Sequence, residues 1–61
     1  MARYYCESDF SKVTIFIEVT AGAFDDRVKQ NKPIFEGTNE EINQLAKDFK
    51  SYGKYVTIIE K

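Results

Sequence analysis

The sequence predicts an α+β fold, with a small three- or four-stranded, mainly antiparallel sheet and one helix packed on one of its faces. Three observations lead there. Lys12–Thr20 alternates as a strand does, residues 38–53 carry helix start, stripe and stop signals, and the segments follow the order β-β-(β)-α-β. A lone helix covers only one face of a sheet, which sets the architecture. A chain of 61 residues has room for one domain, so 1–61 is read as a single unit.

Ala2 to Glu7 reads as the first strand, with Tyr4 and Cys6 on one side and Arg3, Tyr5 and Glu7 on the other. Ser8-Asp9-Phe10-Ser11 is short and polar enough for a hairpin connection. Lys12 to Thr20 follows, with Val13, Ile15, Ile17 and Val19 on an aliphatic face and Thr14, Phe16 and Glu18 on the other. Almost every residue there is β-branched or aromatic, the types that fit a pleated surface.

Ala21 to Gly37 is harder to read. Ala21-Gly22-Ala23 and Asp25-Asp26 have turn composition, and Arg27 to Phe35 reads as an irregular strand with Val28 and Ile34 inward. Pro33 cannot donate to a ladder, which puts any strand here at a sheet edge.

Thr38 to Tyr52 is the helix. Thr38 and Glu41 form a capping box, Glu40 and Glu41 suit the positive end of the dipole, and Lys47 and Lys50 suit the negative end. Ile42, Leu45, Ala46 and Phe49 make one apolar stripe, and Gly53 fits a left-handed cap. Lys54 to Glu60 closes the sheet. Both of its faces, Val56 and Ile58 against Tyr55, Thr57 and Ile59, are apolar enough to suggest a central strand. The helix stripe is expected to pack on Val13, Ile15, Ile17 and Val19, joined by Val56, Ile58, Tyr4 and Cys6.

Composition narrows the function classes. Histidine is absent and Cys6 is the single cysteine, so an intrachain disulfide is impossible and the usual metal-ligand sets are missing. Nucleophilic catalysis needs a Ser, Cys or Thr beside a base, and Ser11 and Ser51 have no such neighbour in the pattern. Asp25, Asp26, Glu40 and Glu41 suit turns and a helix start, and Gly22, Gly37 and Gly53 are isolated, not a phosphate loop. Cys6, within a strand, reads as a small buried hydrophobe. No catalytic residue, metal site or cofactor is therefore expected.

The expected activity is binding. A sheet face turned from the helix would present Tyr5, Phe16, Tyr55 and Ile59, rimmed by Arg3 and Glu18, and aromatic residues with a polar rim have the composition of a protein interface. The competing reading has residues 21–35 fold over that face and bury it. Small stand-alone domains without a cofactor are common among bacteriophage proteins that bind and block a host enzyme, so by size and shape alone an inhibitor of that type is expected. A homodimer paired through the open face or an edge strand would also offset the thin stability margin of so short a chain.

Nucleic acid is a weaker fit. Aromatics on an open sheet stack on unpaired bases, but such platforms need basic surroundings, and the net charge here is −1 with the signs interspersed. No apolar run approaches the ~20 residues of a membrane span, and the first six residues lack a signal-peptide core. With one unpaired cysteine, a cytoplasmic location is the expectation.

Overall fold

The sheet is built around a hairpin. In the computed structural model, which describes all 61 residues, β1 (Ala2–Asp9) and β2 (Lys12–Ile17) pair antiparallel from Tyr4↔Ile17 to Asp9↔Lys12. Only Phe10 and Ser11 lie between the paired ends, so β1 runs two residues further than its alternation suggests. After β2 come a short helix α1 (Asp25–Lys29), β3 (Phe35–Gly37), the main helix α2 (Asn39–Ser51) and β4 (Tyr55–Glu60). The strand order is β3-β1-β2-β4, with β3 antiparallel to β1 and β4 parallel to β2.

Alternation sorts the side chains onto two faces. On the inner face Val13 and Ile15 are fully buried beneath Ile42 and Ala46 of α2, with Ala2, Tyr4, Cys6, Ile17, Leu45, Phe49 and Val56 packed around them. That is the core expected from the two periodicities. Val19 and Ile58 are the exceptions, Ile58 being left 42% exposed because β4 is an edge strand. β2 stops at Ile17, the amides of Val19 and Thr20 turn to the carbonyl of Lys61, and the Val19 side chain is left in solvent.

Local signals define α2. The Thr38 hydroxyl accepts from the Glu41 amide at 3.1 Å, and the Glu41 carboxylate accepts from the Thr38 amide at 3.2 Å. This satisfies two of the donors that a helix start leaves open. Gly53 ends the helix at φ +81°, a conformation that favours glycine. Gly37 is small for another reason. A Cβ there would lie 3.2 Å from the Tyr4 ring, a tight contact that the ring would have to shift to relieve.

Three expectations are corrected. Ala21-Gly22-Ala23 lies in a turn as expected, but Asp25 and Asp26 supply the first turn of α1 in place of a turn of their own. Val28 projects into solvent, and the strand that follows is confined to Phe35–Gly37, beyond Pro33 and at the sheet edge. β4 is an edge strand as well, despite two apolar faces.

Crossover geometry explains both edges. β2, β3 and β4 all run parallel, and β3 and β4 lie on opposite sides of the β1–β2 hairpin. Parallel crossovers are right-handed, so two that run in opposite directions must lie on opposite faces. With α2 on the inner face between β3 and β4, residues 18–34 must cross the outer face between β2 and β3.

No helix is long and apolar enough to cross a membrane. Replacing Thr38 by Ala is expected to lower stability by about 1 kcal/mol. Urea unfolding followed by circular dichroism measures it, and an unchanged midpoint would show that the capping box contributes nothing.

Candidate functional site

The crossing segment closes half of the outer face. Phe24, absent from the expected core, is 1% exposed and sets its ring edge against Tyr5 at 4.8 Å between centroids. Phe16 stacks on Tyr5 at 4.8 Å, and the Arg27 guanidinium lies 3.8 Å from the centre of the Tyr5 ring. Arg27 Nε also donates to the Pro33 carbonyl at 2.9 Å, tying α1 to the approach to β3. Tyr5 is therefore only 7% exposed, the centre of a second small core and not part of an open surface. Its expected role as a contact residue is corrected for that physical reason.

Arg3 and Glu18 belong to the same second core. Arg3 Nε and Nη2 each donate to a Glu18 carboxylate oxygen at 2.7 Å, a bidentate pair, and the Phe24 amide donates to the same carboxylate at 3.0 Å. The Arg3 hydrogen bonds, helped by the Phe24 amide, hold the Glu18 carboxyl below the ordinary carboxylate range. These two residues fasten the crossing segment to β1 and do not form a free polar rim.

What stays open is the β2–β4 half. Tyr55 (74% exposed) and Ile59 project there with Thr57, beside the half-buried Thr14 and Phe16. Lys61 closes the inner border, its Nζ 4.6 Å from the centre of the Phe16 ring. Of the six residues expected to form the contact surface, Tyr55 and Ile59 are open, Phe16 sits at the border, Tyr5 is buried, and the Arg3–Glu18 pair lies at the edge of the second core, with the Arg3 side chain 36% exposed.

The open half continues into an aromatic end that sequence reasoning missed. Phe10, at the hairpin tip, is 96% exposed and holds φ +50°. A positive φ at the first residue of a two-residue hairpin loop is a conformation that favours glycine. The α2–β4 turn lies against this tip. Lys54 Nζ donates to the Phe10 carbonyl at 3.2 Å and the Tyr55 amide to the Ser11 carbonyl at 2.8 Å. Tyr52, the C-cap of α2, is 78% exposed in that turn. Two loops thus bring Phe10, Tyr52 and Tyr55 to one end of the molecule, with Lys12, the β2 partner of Tyr55, beside them.

The inner side carries an apolar groove of about 290 Å³ lined by Tyr4, Cys6, Phe35, Leu45 and Phe49. Its lining is almost wholly apolar, which gives little to orient a ligand. Burial pushes the Cys6 thiol up, away from the thiolate that nucleophilic chemistry needs. Comparisons of the chain with protein-family models, with curated proteins and with solved structures find no match.

The Glu18 clamp makes stability depend on acid. Because the folded state keeps this carboxylate ionised to lower pH than the unfolded state does, the unfolded chain binds more protons as pH falls. The contribution is full above the unfolded carboxylate pKa and is lost as pH drops through the lower folded value. Urea midpoints measured down the acid range should show this loss, and Glu18→Gln should lower stability at neutral pH and flatten the acid limb. An equally steep limb in the variant would assign the acid sensitivity to other carboxylates.

Proposed function

We propose that the protein is a small non-catalytic protein-binding module. Its contact surface is the aromatic end of Phe10, Tyr52 and Tyr55 with the adjoining open face of Thr57 and Ile59. Phe10 carries the reading. A phenylalanine at φ +50° is a conformational outlier, and at 96% exposure it gains no burial to offset the strain. Folding alone would favour glycine at that position, so the observation points to a use for the ring outside the domain.

The neighbours fit that use. Exposed Tyr and Phe on two tied loops present rigid apolar area at little entropic cost, as interface hot spots do. Binding that blocks another protein, in the manner of small inhibitor domains, needs no chemistry of its own. The chain contains no histidine, and the Cys6 thiol is pushed up by burial, which favours binding over catalysis. A single half-buried cysteine also suits the reducing cytoplasm. Lys12 and Lys54 beside the aromatics give a nucleic-acid reading a foothold, and salt dependence separates it.

The test exploits the conflict between fold and function at the turn. Phe10→Gly should raise stability by roughly 0.5–1 kcal/mol, because relief of the left-handed strain outweighs the added chain entropy. The same variant should lose partner capture from lysate at high salt, and Tyr52→Ala should weaken capture more than about tenfold with little change in stability. Equal capture by Phe10→Gly would sink the aromatic end as the site, and capture lost for the wild type at high salt would point to nucleic acid.

A further inference from the structure

β4 has the side chains of a central strand and the position of an edge strand. No proline or bulge interrupts Tyr55–Glu60, its register with β2 is continuous, and Val56 to Ile59 carry no charge. Native edges are usually blunted by such devices, and this one is not. Its hydrogen-bond phase is defined at both ends. The Tyr55 amide donates to Ser11 and the Lys61 amide to Ile17, so the odd-numbered residues of β4 face β2. The amides and carbonyls of Val56, Ile58 and Glu60 therefore line the free edge.

We propose that β4 pairs antiparallel with β4 of a second copy of this chain, about a twofold axis through Thr57, to make one continuous eight-stranded sheet. A twofold normal to the sheet keeps each face on its own side, so residues opposite one another must share a face. Only registers centred on a residue satisfy this. Centring on Val56 would set Lys54 against Ile58, and centring on Ile58 would set Val56 against Glu60 and Tyr55 against Lys61.

Centring on Thr57 matches every position. Lys54 meets Glu60 of the second copy, Tyr55 meets Ile59, Val56 meets Ile58, and Thr57 meets itself. Opposite charges, aromatic–β-branched pairs and Thr–Thr pairs are the favourable cross-strand combinations. The edge-facing amides and carbonyls of Val56 and Ile58 exchange hydrogen bonds with those of Ile58 and Val56 in the other copy. Ile58, 42% exposed on the inner face, would then lie beside the second copy's Val56 and extend the helix-covered core across the axis.

This inference rests on the free edge and not on Phe10, so the two readings fail separately. Sedimentation equilibrium should show a reversible dimer, of Kd on the order of 10–100 µM for an interface this small. In a Cys6→Ala background, Thr57→Cys should cross-link to itself on oxidation, because facing residues of a non-hydrogen-bonded pair lie about 4.5 Å apart between Cα atoms. Tyr55→Cys and Ile59→Cys should each fail to self-link, since copies of either are roughly 13 Å apart along the strands, but should link when mixed.

Ile58→Pro removes an edge-directed amide without touching the β2 ladder and should give a folded monomer, and Glu60→Lys should raise Kd about tenfold. Phe10→Gly should leave the dimer unchanged. A wild-type monomer at millimolar concentration overturns the proposal. So does self-linking at position 55 or 59 as fast as at 57, or a folded Ile58→Pro variant that still dimerises. If the proline variant does not fold, the cysteine series decides.

Discussion

The Glu18 carboxylate joins the two ends of the outer layer. One oxygen accepts from Arg3 Nε, and the other accepts from Arg3 Nη2 and the Phe24 amide, so a single anion ties the start of β1 to the segment that leaves β2. The position of that segment follows from it. Phe24 is held over Tyr5, α1 begins at Asp25, and Arg27 reaches the Tyr5 ring and then the Pro33 carbonyl on the way to β3. A carboxylate that accepts three hydrogen bonds, with its side chain only 12% exposed, is well compensated for its lost water. Without it, the crossing would be anchored chiefly by aromatic contacts.

The same crossing explains why the surface is lopsided. Handedness sends one connection over each face, but the outer one serves β2 and β3 and so passes over β1 alone. Nothing in the topology carries chain across the outer side of β4. Tyr55, Thr57 and Ile59 are open because they lie on the far side of β2 from the crossing, not because their composition differs from that of Tyr5 and Phe16. An aromatic in one half of this face becomes core, and an aromatic in the other half becomes surface.

That distinction also marks how far the sequence could be read. α2 was legible to its caps because Thr38, Glu41 and Gly53 act within a few residues of one another, and the inner core followed from two periodicities. Tyr5 could not be placed by alternation, which assigns a face but not a cover. Phe24 escaped notice because it sits outside any period, between Ala-Gly-Ala and Asp-Asp. An isolated large aromatic among small residues was the available signal. Phe10 falls within a polar connection in the sequence, and its clue is a bulky ring in a two-residue hairpin loop, where positive φ favours glycine. The expectation of a central β4 failed on strand order alone, since its side-chain pattern is that of a strand with neighbours on both edges.

A domain of this size has little stability to spare, yet it leaves strain at Phe10 and an unblunted edge at β4. The proposed strand pairing would reconcile the two. Joining two copies at β4 satisfies the edge backbone and covers Ile58, which strengthens the scaffold on which a strained turn is carried. The turn itself stays outside the pairing, because Phe10 belongs to the β1–β2 hairpin. The twofold through Thr57 then places the two aromatic ends at opposite ends of the strand pair, each with its own Phe10 and Tyr52. A partner with two matching sites would gain from simultaneous engagement in proportion to how well its spacing fits. The edge and the aromatic surface share Tyr55, Thr57 and Ile59, but Phe10 and Tyr52 lie outside the pairing, so the two remain separable in test. The symmetry of the first sets the geometry in which the second is displayed.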